Sequence, residues 1–160
     1  MTSKQLGILG EKIALGFLQK KRYRVLDRNY LPKFLSGPQR GEIDIIAKPR
    51  RSVFDILRSR RNRKDDIIHF IEVKTLRQAQ GESLAEARGG RTSAISPEEK
   101  VDFLKQRKII KMAEFWLMEK KIPFTAKWQI DVIAIQIDLD SKKAKIRFFE
   151  NAVCQTCPHT

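Results

Sequence analysis

The sequence predicts an α/β domain in which a mixed β-sheet is flanked by helices. Two observations support this prediction: two stretches have apolar residues at helical spacing, and runs of β-branched and aromatic residues separate and follow them. In chain order the elements read α-β-β-β-α-β-β, which is typical of a sheet covered by helices. A length of 160 residues suits one compact domain, so we expect a single domain over 1–160.

The first helix is predicted over 4–21, where an apolar stripe would face a core. The second helix is predicted over about 97–121, because Ser96 can cap its start and Pro123 ends it. The stripe of the first helix contains Leu6, Leu9, Ile13 and Phe17, and that of the second contains Ile109, Met112, Ala113, Trp116 and Leu117.

Five strands are predicted from runs rich in β-branched or aromatic residues, each bounded by turn or polar residues. They are "YRVLDRNY" at 23–30, "GEIDIIAK" at 41–48, "DIIHFIEVKT" at 66–75, "WQIDVIAIQIDLD" at 128–140 and "AKIRFFE" at 144–150. Between them we expect a basic insertion at about 49–65. A mobile insertion is expected at about 77–95, where small and polar residues dominate.

The charge of the chain favours a polyanionic partner. The sequence has 33 Lys and Arg against 19 Asp and Glu, a formal net charge of +14. Nucleic acid ranks first among such partners. No apolar run approaches membrane-spanning length and no basic-then-apolar leader opens the chain, so we expect a soluble cytoplasmic protein without a membrane partner.

Two cysteines, Cys154 and Cys157, stand near the C-terminus with His159. So few cysteines exclude a scaffold built on disulfides. The "CQTCPHT" motif is half of a zinc site at most, and His69 stands far upstream, so a frayed tail is favoured over a metal or redox role.

The charged residues on the strands form the candidate site. Side chains alternate between the two faces of a strand, so Glu72 and Lys74 share a face, as do Glu42, Asp44 and Ile46. If the strands are neighbours, Asp44 approaches Glu72. Two carboxylates held close repel each other unless a proton or cation compensates.

A divalent cation would provide that compensation. Mg²⁺ prefers oxygen ligands and keeps several waters, so one Asp, one Glu, a backbone carbonyl and a phosphate oxygen form a suitable set, and Mn²⁺ is an alternative. Lys74 would point at the same phosphate, and Glu11 on the first helix could add a ligand or orient a water. A structural salt bridge among Asp44, Glu72 and Lys74 on a solvated face explains the pattern equally well.

At this point "GEIDIIA" followed by "FIEVKT" resembles the D…E-x-K core of the PD-(D/E)XK, or restriction-endonuclease-like, nucleases. More narrowly, the chain resembles the YraN family of bacterial proteins. "GEKIALGFLQKKRY", "DRNY", "KQRKIIKMAEFWL" and "IDVIAI" extend that resemblance through most of the chain. Gln129 departs from it, because the family commonly has arginine there.

The resemblance implies a core like that of restriction endonucleases and Holliday-junction resolvases. It assigns Asp44 and Glu72 as metal ligands, with the Val73 carbonyl beside them, Lys74 as the catalytic lysine and Glu11 as an accessory acid. The implied activity is Mg²⁺-dependent hydrolysis of DNA phosphodiesters, on branched or otherwise structured DNA, with a homodimer as the assembly those resolvases use.

Phosphate contacts are expected from basic residues of the insertion, the strands and the helices. The candidates are Arg28, Arg50, Arg51, Arg58, Arg60, Arg61, Arg63 and Lys105. A charge run is otherwise a solvated loop. Two alternatives to an enzyme remain open: a nucleic-acid-binding protein that keeps the nuclease fold without catalysis, and an RNA- or ribosome-associated factor.

Overall fold

The structure is a computed structural model that describes residues 1–33, 41–50, 67–77 and 103–152, with the side chains of 103–105 excepted. Most of both expected insertions, the capped start of the second helix and the cysteine-containing tail lie outside these residues. Seven elements are described: α1 Ser3–Lys20, β1 Tyr23–Tyr30, β2 Ile43–Pro49, β3 Ile68–Arg77, α2 Phe103–Glu119, β4 Trp128–Asp138 and β5 Lys143–Phe149.

The strands form an open mixed sheet of five strands in the order β1-β2-β3-β4-β5. β1–β2, β2–β3 and β4–β5 are antiparallel pairs, and β3 runs parallel to β4. The α/β class and the mixed sheet are therefore confirmed. Each described element matches a predicted one, with bounds that differ by at most two residues wherever both ends of the element are described.

α1 covers one side of the sheet. Its N-terminus carries a capping box, in which the Thr2 side chain accepts from the Gln5 backbone N–H and the Gln5 side chain accepts from that of Thr2. Ala14 and Leu18 are completely buried on the helix face that meets the sheet. The apolar core on this side joins them to Ile45, Ala47, Ile71, Ile133, Ile135 and Ile137.

α2 covers part of the opposite side. Its buried residues pack with sheet residues that include Ile46, Phe70, Ile130 and Val132, and Phe149 packs against the same core. Hydrogen bonds also tie the helix to β1, from Trp116 Nε1 to Asp27 Oδ2 at 3.0 Å and from Tyr30 Oη to Glu119 Oε2 at 2.8 Å. This apolar core ends at the row of Val132 and Phe149, well before the carboxyl end of β4.

The C-terminus of α2 ends in a Schellman motif. The Ile122 N–H donates to the Leu117 carbonyl and the Lys121 N–H donates to that of Met118. Lys121 has the left-handed φ of 55° that this motif needs, and Ile122 packs on the core beside Leu117. The helix thus ends just before Pro123, as the sequence predicts. In the described part of the chain, no helix is long and apolar enough to cross a membrane.

Candidate active site

The candidate site lies where β2 and β3 diverge. The two strands pair over three positions, from Ala47 opposite His69 to Ile45 opposite Ile71. Continuing that register by one residue would set Asp44 opposite Glu72. At that point Asp44 Oδ2 accepts a hydrogen bond from the Val73 N–H, with an N to O distance of 2.6 Å. A carboxylate oxygen has therefore replaced strand pairing at the mouth of the opening.

Glu72 and Lys74 lie on the side of the sheet that faces α2. Ile46 and Phe70 mark that side because they belong to the core under α2, whereas Ile45 and Ile71 belong to the core under α1. Alternation along β3 then assigns Glu72 and Lys74 to the α2 side. Alternation does not assign Asp44, because Ile43 on its other side also belongs to the core under α2 and the regular pattern of β2 is interrupted there. The structure sets Glu72 beside Lys74 on one face, as the sequence predicts, and joins the Asp44 side chain to the backbone N–H of Val73, the residue between them.

Glu72 is held in a buried position beside a cation. Its side chain is 7% exposed, and Lys74 Nζ lies 3.6 Å from Glu72 Oε1 with 29% of the lysine side chain exposed. An ionised carboxylate is costly to bury unless an opposite charge or hydrogen bonds compensate. The cluster thus combines a buried acid with an amine that reaches solvent.

Glu11 lies on α1, which covers the other side of the sheet. Its Oε2 accepts a hydrogen bond from Asn29 Nδ2 at 3.0 Å. Asn29 falls between the register pairs Arg28–Ile45 and Tyr30–Ile43, and therefore opposite Asp44. The structure shows no direct contact of Glu11 with Asp44, Glu72 or Lys74. Through its hydrogen bond to Asn29, Glu11 instead links α1 to the position of β1 that lies opposite Asp44.

Asn29 is the residue that sequence reasoning did not select for the site. Its backbone has a φ of 48°, in the left-handed region that asparagine tolerates better than most residues. The signal available in the sequence was the Arg-Asn pair of "DRNY", which carried part of the family resemblance. Its position opposite Asp44 requires the strand register, which includes an irregularity between Val25 and Asp27.

Among the candidate phosphate contacts, the structure describes the side chains of Arg28 and Arg50. Both are exposed. Arg28 lies next to Asn29 near the candidate site, whereas Arg50 follows β2 at the opposite end, roughly 20 Å along the strand from Asp44. The remaining candidates, Arg51, Arg58, Arg60, Arg61, Arg63 and the Lys105 side chain, lie outside the described residues.

A second polar cluster is buried on the α1 side near the start of β3. Asp131 is completely buried, and its carboxylate meets His69 Nδ1 at 2.5 Å. It also accepts from Gln129 Nε2 at 2.7 Å and from the Asn151 N–H at 2.8 Å. Gln129, the residue that departs from the family pattern, therefore still satisfies the buried aspartate. With its polar atoms paired, this cluster fits a structural role.

The donor set of the candidate site is compatible with a hard divalent cation. Among the residues that the structure describes, no three His, Cys, Asp or Glu side chains gather as a metal-binding group. Asp44 and Glu72 are two carboxylates one strand apart. Mg²⁺ is commonly bound through one or two carboxylates together with waters and substrate phosphates, so the set fits Mg²⁺ better than the closed tetrahedral sites of structural zinc.

Comparison of the sequence with known proteins shows the family of the chain. The model of the uncharacterised protein family UPF0102 matches residues 10–135. A UPF0102 protein of Clostridium perfringens is 32% identical over 150 residues, covering 94% of this chain and 94% of its own. A UPF0102 protein of Campylobacter jejuni is 35% identical over 145 residues, 91% of this chain and 90% of its own. The matched region contains Glu11, Asp44, Glu72 and Lys74.

Proposed function

The chain belongs to the uncharacterised protein family UPF0102, the YraN family that the sequence resembles, and from the geometry of its β2–β3 opening we propose that it is a metal-dependent DNA endonuclease. The proposed reaction is hydrolysis of a phosphodiester, with branched or otherwise structured DNA as substrate. The proposed core is that of the restriction-endonuclease-like nucleases, and a mixed sheet with a helix on each side supports this proposal.

The observation that supports the proposal is a buried acid beside a lysine at a break in strand pairing, with Asp44 bonded to the backbone between them. Asp44 is fixed by the Val73 N–H, and Glu72 is buried against Lys74. A solvated surface salt bridge would contribute little to stability and would not need a buried acid. Burial of Glu72 instead strengthens the attraction of this pocket for cations, because the local dielectric is low.

Each residue then has a distinct role. Asp44, Glu72 and the Val73 carbonyl would hold Mg²⁺ or Mn²⁺, and a metal bound there supplies activation of water and neutralisation of phosphate charge. The hydrogen bond from Val73 fixes the orientation of the Asp44 carboxylate. Lys74, partly exposed, reaches toward the scissile phosphate and stabilises the charge that develops on its oxygens. Glu11 acts through Asn29, which positions β1 beside Asp44.

The test compares cleavage and binding in matched variants. Purified protein is incubated with branched, nicked and linear DNA in Mg²⁺ or Mn²⁺, as wild type and as Asp44→Asn, Glu72→Gln and Lys74→Ala. We expect each substitution to lower the cleavage rate by about 100-fold or more, the effect of losing one preorganised charge-stabilising group, while DNA affinity stays within a few-fold. Glu42→Gln is the control, because Glu42 is an exposed acid two residues from Asp44.

A specific observation also favours a second candidate function. Asp44 and Glu72 already have partners in Val73 and Lys74, so the cluster could stabilise the sheet of a DNA-binding protein that does not cut. Tight binding by the wild type with no cleavage of any substrate in either metal would establish this alternative. Cleavage that survives all three substitutions would show that another site is responsible.

The remaining expectations belong to the same proposal. A homodimer would present two sites to the arms of a branched substrate, and sedimentation of the protein with and without DNA tests it. An RNA copy of each substrate tests the preference for DNA. A cytoplasmic location belongs to the same proposal, because the relatives come from bacteria, in which the DNA lies in the cytoplasm.

A further inference from the structure

A row of cations on β5 shares the side of the sheet that carries the candidate site. Val132 and Phe149 are register partners and both contact the core under α2, whereas Ile133 and Phe148 are partners in the core under α1. Alternation along β5 therefore turns Lys143, Lys145 and Arg147 to the α2 side. All three side chains are exposed.

The register connects this row directly to the catalytic candidate Lys74. Lys74 pairs with Ala134 on β4, and Ala134 pairs with Arg147 on β5. Two strand spacings separate Lys74 from Arg147, about 10 Å between the backbones. The side chain between them is a single methyl group. The next row sets Gln136 opposite Lys145.

We call the strip of the sheet between Lys74 and the cations of β5 the trough; Ala134 and Gln136 of β4 lie along its middle. Lys74 lies on its β3 side, and Lys143, Lys145 and Arg147 lie on its β5 side. The apolar core under α2 ends at Val132 and Phe149, one row before the trough begins. Among the described residues, no carboxylate lies within ion-pair distance of Lys145 or Arg147.

We propose that this trough holds the sugar-phosphate backbone of DNA and leads it past Lys74 and Glu72. The inference deepens the proposed nuclease function and rests on it for the direction of the path. Three exposed cations on alternate positions of one strand span roughly 13 Å, long enough to contact successive phosphates. Such contacts depend on charge and not on base sequence.

The charges fit a phosphate path better than protection of an edge strand. Lysines on an edge strand can prevent association between sheets by blocking the edge. Here the cations lie on one face, aligned with Lys74 across β4, while Ala144, Ile146 and Phe148 alternate to the other face. Ala134 puts only a methyl group between Lys74 and Arg147, so no long side chain separates the two charges.

The experiment measures DNA affinity without metal, so that binding is separated from cleavage. Anisotropy of a labelled four-way junction is followed in EDTA over a range of salt concentrations. The triple variant Lys143→Gln, Lys145→Gln, Arg147→Gln is compared with a control of equal charge, Lys20→Gln, Lys21→Gln, Lys127→Gln. The three control lysines are exposed at the opposite end of the sheet.

The trough variant should lose about tenfold or more in affinity, and its log-log salt slope should fall by about 0.9 for each phosphate contact removed. The control should keep the wild-type slope. Equal salt slopes in the two triple variants would overturn the inference. A larger loss of affinity by the trough variant for a matched RNA junction than for the DNA junction would also overturn it. Arg147→Gln alone, with its thermal midpoint measured, provides the test if the triple variant fails to fold.

Failure of this inference is distinct from failure of the proposed function. If the wild type cuts DNA and the trough variant binds like the control, the nuclease proposal stands and the path lies elsewhere. If the wild type never cuts DNA and the salt slope of the trough variant is still lower than that of the control, the path is correct and belongs to a DNA-binding protein.

Discussion

Gly10 offers a direct test of how α1 is seated on β3. A Cβ atom added to Gly10 would lie 1.8 Å from Thr75 Oγ1, 2.8 Å from Thr75 Cβ and 3.0 Å from Thr75 Cγ2. Rotation of the threonine side chain could move Oγ1 but not Cβ, which is fixed to the strand. Gly10→Ala therefore forces the helix and the strand apart.

The size of the effect follows from two opposing contributions. Overpacking of a well-packed contact costs about 1–3 kcal/mol. Alanine in a helix interior gains about 1 kcal/mol over glycine. We therefore expect Gly10→Ala to lower the free energy of unfolding by up to about 2 kcal/mol after the gain is subtracted.

Two other glycines of α1 provide matched controls. A Cβ added to Gly7 or to Gly16 would meet nothing within 4 Å. Gly7→Ala and Gly16→Ala should thus raise stability by up to about 1 kcal/mol, since only the helix preference changes. Urea unfolding followed by circular dichroism measures all three, and the clash is the difference between Gly10→Ala and the controls, about 1–3 kcal/mol.

A second substitution locates the cause of that difference. Thr75→Ala removes Oγ1 and Cγ2 but leaves Cβ, so the double variant should recover part of the loss in a double-mutant cycle. If Gly10→Ala instead gains as much stability as its two controls, the close approach of α1 to β3 is wrong. The absence of any coupling with Thr75 would refute the assigned contact even if the loss itself were observed.

Two further predictions concern buried polar groups. Asp131→Ala should lower the free energy of unfolding by about 3 kcal/mol, measured in urea, because His69, Gln129 and Asn151 lose their acceptor; Gln129→Ala, which removes one donor, should cost less. Burial, with a neighbouring glutamate, raises the pKa of both tyrosines, Tyr23 and Tyr30, above the usual 10. Ultraviolet titration of the folded protein should therefore show no phenolate step near pH 10, and the stability these phenols contribute should be lost as the pH rises above 10.

The elements of the fold were predictable because each depends on local pattern. The stripe of α1 and the alternation in β2 and β3 are periodicities that neighbouring residues set among themselves. The same alternation was enough to assign Glu72 and Lys74 to one face. The α/β class followed from the order of the elements, since few arrangements cover both sides of a sheet.

Features that depend on register could not be predicted in this way. The position of Asn29 opposite Asp44 depends on the irregularity between Val25 and Asp27. The alignment of Lys74 with Arg147 depends on two separate pairings through Ala134. Neither pairing leaves a periodic mark in the sequence. The sequence therefore predicted phosphate contacts mainly from the denser charge run at 49–65, and none from the basic residues of β5.

The place of Glu72 in the sheet explains why this acid is buried while the neighbouring lysine reaches solvent. Glu72 shares a row with Val132 and Phe149, the last row of the core under α2, and so it is buried. Lys74 shares the next row with Ala134 and Arg147, outside that core, and so its amine reaches solvent. A shift of one row would expose the acid to water and weaken its hold on a cation, because the dielectric would rise. The limit of the core thus sets a buried carboxylate immediately beside amines that reach solvent, so a phosphate approaching the proposed site from solvent would meet the amines first.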